Sequence, residues 1–183
     1  MHKKQLIIVN GTMGVGKSAT CEELFKALEN CVYLEGDWCW MMNPFVVNAE
    51  SRKMVEDNII HVLRNFLSYP SFQYVIFGWV LHLEEIHDRI LKGLEDLDFN
   101  LIRITLICSE DSLRHRFMKD MNAKLRDHNS LEESTKRLKL YQSMDTIKID
   151  TTDISAAVAS QQIMRILLER ESNGHIGTAP AQV

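Results

Sequence analysis

Gly11, Gly16, Lys17 and Ser18 stand at the spacing G-x-x-x-x-G-K-[ST] inside the stretch QLIIVNGTMGVGKSATCEELFKAL. This pattern needs a strand before it and a helix after it, and both are written into the flanks. Gln5 to Asn10 is apolar, rich in β-branched residues and stopped by glycine, the signature of a short buried strand. Beyond the loop, Leu24, Phe25 and Leu28 recur at helical spacing. Glycines let successive backbone N–H groups converge on one anion, and the helix adds its own unpaired N–H groups and the positive end of its dipole. Gly11, Met13, Gly14 and Val15 are therefore expected to cradle phosphate, with Gly16, Lys17, Ser18 and Ala19 opening the helix beneath it. Lys17 is expected at the β- and γ-phosphates of a nucleotide, and the Ser18 hydroxyl on Mg²⁺.

The rest of the chain alternates in the same way. Cys31 to Asp37, Tyr74 to Trp79, Leu101 to Cys108 and Thr146 to Asp150 read as strands. Helices are expected over Ala49 to Leu67, Leu83 to Leu94, Asp111 to Met118, Leu131 to Met144 and Ile154 to Arg170. Strands separated by helices make a parallel sheet with right-handed crossovers, an α/β fold whose ligands sit beyond the carboxyl ends of the strands. With 183 residues and no dividing linker, a single domain over residues 1–170 is expected, followed by a polar, disordered tail over residues 171–183.

Composition narrows the partners. A formal charge of −4 without a dense basic tract argues against duplex nucleic acid. No apolar run approaches membrane-spanning length, and the first residues lack a secretory apolar region, so neither a membrane nor export is expected. Cys21, Cys31, Cys39 and Cys108 form no C-x-x-C pair, which favours reduced thiols in a cytoplasmic protein over structural zinc.

Two groups of residues then suggest an acceptor and a lid. Asp37 follows the second strand, on the rim of the phosphate loop, where a carboxylate can take a proton from an attacking hydroxyl or help hold Mg²⁺; the alternative is a turn or cap aspartate. Trp38, Trp40 and Trp79, with Met41, Met42 and Phe45, form either an aromatic wall for a ring-bearing acceptor or core beneath a helix. Arg52 and His82 lie near the same rim by sequence. Arg114 and Arg116 in the helix after the fourth strand, Arg126 in a polar segment around residues 119–130 and Arg137 on the next helix recur around one loop. Guanidinium groups on a closing segment would stabilise the spread negative charge of phosphoryl transfer, although any one of them could instead be a surface ion-pair partner.

The stretches NGTMGVGKSAT, LEGDWCW, LICSEDSLRHRF, RDHNSLEESTKRLKLY and IKIDTTD, in this order, resemble the landmarks of the P-loop small-molecule and nucleoside-monophosphate kinases, the adenylate, shikimate and gluconate kinase group. The resemblance spans Gln5 to Leu168. It implies a five-stranded parallel sheet in the order 2-3-1-4-5, Mg-ATP as phosphoryl donor, and a small-molecule acceptor near the end of the second strand, in a monomer or homodimer. Arg116 matches an ATP-contacting arginine, and Arg126 and Arg137 match arginines of the lid and of the helix after it. Asp37 falls at the acceptor site, and Thr151, Thr152 and Asp153 fall where the family passes the adenine ring. Two departures stand out. Phe77 and Gly78 occupy the end of the third strand where many adenylate-type kinases carry an acid, shifting metal binding toward Ser18 and Asp37. Asp120 replaces a lid arginine. The acceptor thus stays open, from a nucleoside or nucleotide to an antibiotic or other xenobiotic. A nucleotide-dependent switch is the remaining alternative, although the chain lacks the N-K-x-D and D-x-x-G motifs of a GTPase.

Overall fold

In the computed structural model, which describes residues 3–122 and 128–174, five parallel strands pair in the order β2-β3-β1-β4-β5. They are β1 (Lys4–Asn10), β2 (Cys31–Glu35), β3 (Tyr74–Gly78), β4 (Phe99–Ile107) and β5 (Ile147–Asp150). Along β1, Leu6 and Ile8 point to one face of the sheet while Ile7 and Val9 point to the other, and all four are fully buried. A central strand covered on both faces loses the polar half of the usual alternation, which explains its continuous apolar run.

The two faces are covered by different helices. On one side, α1 (Lys17–Ala27), α4 (Glu110–Asn122), α5 (His128–Ser143) and α6 (Ala156–Gly174) enclose a core that includes Ile7, Val9, Leu24, Ile104, Phe117 and Ile163. On the other, α2 (Ala49–Ser68) and α3 (Glu84–Lys92) cover Leu6, Ile8, Val75 and Phe77. The inner stripe of α2 is Val55, Ile59, Leu63 and Leu67, each four residues after the last, so one face of the helix reaches the sheet throughout. Its start is fixed by a reciprocal cap. Asn48 Oδ1 accepts from the Ser51 N–H at 2.8 Å, and Ser51 Oγ accepts from the Asn48 N–H at 2.9 Å.

Differences from the sequence reading are confined to ends. The second strand stops at Glu35, and Gly36–Trp40 forms a 3₁₀ turn that carries Asp37. The last helix continues through Gly174, so residues 171–174 are helical where a tail was expected. The center of the expected lid, with Arg126, and the last nine residues lie outside the described residues. Among the described residues no helix is long and apolar enough to cross a membrane.

One buried histidine ties stability to pH. His87, on the inner side of α3, is 1 % exposed, and its Nε2 lies 3.4 Å from the Asn10 side-chain amide. Burial, helped by the nearby Arg103 charge and only partly opposed by Glu84 and Asp88, pushes its pKa down to about 4. An unfolded histidine takes up its proton near pH 6.5, so between the two values the unfolded chain binds more protons and stability falls as pH drops. The shift is worth about 3 kcal/mol. The expected outcome is that Tm falls more steeply from pH 6.5 to about 4 in the wild type than in His87→Gln. Parallel Tm profiles for the two proteins would refute it.

Candidate active site

Positive-φ backbone is concentrated where the chain leaves β1. Gly11, Gly14 and Gly16 all have positive φ, at 144°, 85° and 108°. At Gly11 a Cβ would come within 2.6 Å of the Leu106 carbonyl oxygen and 2.9 Å of Val15, so only glycine lets the loop pass β4 this closely. At Gly16 a Cβ would meet nothing within 4 Å, and the requirement is conformational alone. Gly16 caps α1 without any side-chain hydrogen bond, and the first turn of α1 contains no acid. That end of the helix therefore offers its N–H groups and its positive dipole to an anion.

Lys17 lies beneath this loop, 8 % exposed, and its Nζ donates to the Thr12 carbonyl at 3.1 Å. The Thr12 hydroxyl in turn donates to the Ser134 carbonyl of α5 at 2.9 Å. The groove in front of Lys17 has a volume of about 440 Å³. Its walls include Met13, Gly14, Ser18, Ala19, Glu35 and Asp37, with Arg116 and Asp120 coming from α4.

Glu35 is the residue that sequence reasoning missed. It is the last residue of β2, 8 % exposed, and accepts a hydrogen bond from the Tyr33 hydroxyl at 2.6 Å. In the sheet it pairs with Gly78, so a carboxylate stands one strand away from the position where an acid was sought on β3. Its signal was parity. Val32 and Leu34 face α2, which turns Tyr33 and Glu35 toward α1 and the phosphate groove. Phe77, the residue found in place of the expected acid, is fully buried in the core beneath α2.

The hydroxyl of Ser18 and the carboxylates of Glu35 and Asp37 share one groove. Mg²⁺ is held by one or two carboxylates together with phosphate and water rather than by an all-protein cage, and this hard-oxygen set fits it. Among the described residues, no group of three or more His, Cys, Asp or Glu side chains is gathered as a metal site.

Arg116 links the loop to the end of β5. It donates to the Val15 carbonyl at 3.0 Å, to the Thr151 hydroxyl at 3.1 Å and to the Thr151 carbonyl. It also borders a second cavity of about 250 Å³ beside the loop, walled by Val15, Thr20, Thr151, Ile154 and Ser155. Thr152 is not part of that wall. Its hydroxyl accepts from the Ser109 N–H at 2.9 Å and donates to Asp150 at 2.5 Å, so it braces the turn instead. Asp153 is exposed outside the cavity.

On the other side of Asp37 opens a cavity of about 800 Å³. Trp40, Met41, Met42 and Phe45 form its apolar wall, and Arg137 closes it from α5. Trp79 is not in that wall. It is buried beside Phe77, it lies against Gly36 where a Cβ would meet its ring at 2.4 Å, and its Nε1–H donates to Asp37 Oδ1 at 3.2 Å. Its role is to orient the carboxylate. Trp38 is exposed and packs on Tyr33, with ring centroids 5.7 Å apart, outside the cavity. Arg52 and His82 do not line it either. Arg52 is exposed on the first turn of α2, and half-buried His82 borders a separate cavity with Leu140 and Met144. Burial and the Arg137 charge lower the His82 pKa. Arg114 is taken up in a surface pair with Glu110 at 2.7 Å, and Arg137 makes a longer contact of 3.4 Å with Glu133. Cys39 is no activated thiol, since burial pushes its pKa up.

These features can be set beside known proteins. A family model described as an AAA domain matches residues 7–137, from β1 into α5. The chain belongs to the AAA domain family. Its fold is that of the P-loop small-molecule kinases. A gluconokinase from Sinorhizobium meliloti superposes on this AAA domain protein with a TM-score of 0.70 at 17 % identity, over 98 % of this chain and 100 % of that one. The APS kinase of Mycobacterium tuberculosis, in complex with AMPPNP and APS, gives 0.66 at 16 %, over 91 % and 99 %. Shikimate kinase from Acinetobacter baumannii, in complex with shikimate, gives 0.63 at 19 %, over 91 % and 94 %. A search of curated protein sequences found no significant match.

The two loop glycines should separate in a stability measurement. Gly16→Ala carries only a positive-φ penalty, about 1–2 kcal/mol, whereas Gly11→Ala adds a collision with backbone. Thermal melts are expected to show the larger loss of Tm for Gly11→Ala, and equal losses would contradict the close approach to Leu106.

Proposed function

We propose that this protein transfers the γ-phosphoryl group of Mg-ATP to a hydroxyl of a small-molecule acceptor. The observation that carries this reading is the position of Asp37, which lines both the phosphate groove and the large apolar cavity. A carboxylate shared by a donor compartment and an acceptor compartment is where a general base for phosphoryl transfer has to be. The use of a nucleotide is supported further by the phosphate loop and by the fold shared with a kinase that holds AMPPNP.

Each residue has a separable task. The N–H groups of the loop and of the first turn of α1 hold the β- and γ-phosphates, and Lys17 neutralises the oxygens on which charge grows. A metal bound with the nucleotide would supply further neutralisation of phosphate charge; Ser18 and Glu35 would hold it. The base of the nucleotide would lie along the cavity next to Thr151, with Arg116 between it and the phosphates. Asp37 accepts the acceptor's proton as the acceptor oxygen bonds to phosphorus, the bridging oxygen–phosphorus bond breaks, and ADP leaves with the electron pair. Trp79 holds Asp37 in place for that step. Arg137, with Arg126 from the proposed lid, covers the transferring group and excludes water. This chemistry would act within one domain whose last helix runs to Gly174, in the cytoplasm.

Three substitutions test the assignment. Lys17→Ala is expected to lower turnover by about 100-fold or more while leaving a cooperative thermal melt. Asp37→Asn is expected to keep nucleotide affinity within about twofold and to slow transfer by about 100-fold or more, measured as ADP release together with phosphorylated product. An unchanged transfer rate in Asp37→Asn would remove it as the base. Trp79→Phe keeps the ring but loses the donor to Asp37; kcat is expected to fall by about tenfold, with nucleotide affinity unchanged.

A further inference from the structure

The apolar cavity is not a detached surface feature. It shares Met13, Asp37 and Val80 with the phosphate groove, so a molecule that fills it presents one edge to Asp37 and to the end of the nucleotide. Its remaining surface is formed mainly by Trp40, Met41, Met42 and Phe45. The rings of Trp40 and Phe45 lie 5.9 Å apart at 54°. Met41 is 86 % exposed and Phe45 66 % exposed, so large apolar side chains stand in water at the edge of a cavity that opens onto the site of transfer.

The polar lining is sparse. Asp37, Asn43 and Arg137 are the polar residues among the described residues that line it, and Arg137 is the one cation. In the mechanism proposed above, Asp37 faces the reacting hydroxyl and Arg137 the phosphoryl group, which leaves Asn43 for the rest of the acceptor. A polyol or sugar acid carries a hydroxyl on nearly every carbon, and most of these would be desolvated against methionine and aromatic surface without partners. A flat apolar ring system meets the same wall with nothing left unsatisfied.

We propose that the acceptor is a hydroxylated, mainly apolar ring compound that presents a single reactive hydroxyl to Asp37. This rests on the kinase reading and specifies the occupant of its acceptor side. The acceptor oxygen forms the new bond to phosphorus, its proton passes to Asp37, and ADP departs from Mg-ATP, which is the co-substrate. Met13, Met41 and Met42 make the wall adaptable, because thioether side chains are unbranched, flexible and polarizable. Selectivity is thus shallow with respect to ring shape and steep with respect to the number of additional hydroxyls.

The test uses the full chain with Mg-ATP and compares benzyl alcohol, 2-phenylethanol and 2-naphthylmethanol with gluconate, shikimate and AMP, reading phosphorylated product by mass spectrometry. Binding of the same compounds is measured by calorimetry with Mg²⁺ and AMPPNP present. The expected result is that aryl alcohols exceed gluconate, shikimate and AMP in kcat/KM by about 100-fold, and that Phe45→Ser raises KM for 2-naphthylmethanol by about tenfold while Phe45→Leu restores much of it. Because Phe45 is largely exposed, its replacement leaves the core intact. Efficient phosphorylation of gluconate, shikimate or AMP, with aryl alcohols inert, would overturn this inference and leave the kinase reading standing. Saturable binding of aryl alcohols that Phe45→Ser abolishes, without any transfer, would support the apolar occupant and defeat the kinase reading. Neither binding nor transfer of aryl alcohols would overturn the inference.

Discussion

The Asn10 side chain holds the site together. Its Oδ1 accepts from the Gly11 N–H at 2.7 Å and from the Leu81 N–H at 2.8 Å, while its Nδ2 donates to the Leu81 carbonyl at 2.8 Å. It is 1 % exposed, so each of these bonds forms where no water is available to replace it. One amide thus fixes the first residue of the phosphate loop against the segment that leaves β3. That segment begins with Trp79 and Val80, the first holding Asp37 and the second lining both compartments. The spacing between the phosphate loop and the proposed base is set by this buried bond pattern more than by the sheet edge on which Asp37 lies.

Charge in the groove is arranged around that frame. Lys17 is buried and Glu35 is buried, and both open onto the same space as the exposed Asp37. Burial makes their fields stronger than they would be in water, and it fixes their direction. Putting the second carboxylate on β2 instead of β3 has a packing reason. Gly78, at the end of β3, has Cys21 Sγ 3.1 Å and the Tyr33 ring 3.4 Å from where its Cβ would be, so a larger side chain there would have to displace both. Glu35, its partner on the neighbouring strand, places a carboxylate at that level of the sheet instead.

Much of this was legible before any coordinates. The loop motif, the alternation of strands and helices, and the rim position of Asp37 follow from residue type and spacing, and the family resemblance implied the strand order that the sheet adopts. The illegible part depends on direction. Trp38, Trp40 and Trp79 look alike in sequence, yet Trp38 is exposed and Trp40 lines the cavity because a 3₁₀ turn points them to different sides, while Trp79, which follows β3, is buried against Gly36. Thr151 and Thr152 are similarly adjacent, and only the hydroxyl of Thr151 reaches the phosphate loop, at 3.0 Å from the Val15 carbonyl. Asn10 looked like the end of a strand, since a side chain that closes a contact with residue 81 leaves no local pattern.

The bond from Thr12 to Ser134 joins the phosphate loop to α5. Arg137 lies three residues farther along that helix, nearly one turn away and on much the same side. The Thr12 hydroxyl of the loop is therefore bonded to the helix that carries the Arg137 guanidinium to the large cavity. One helix thus steadies the phosphate loop at Thr12 and supplies a wall of the large cavity at Arg137, so the two spaces have a common support as well as a common edge.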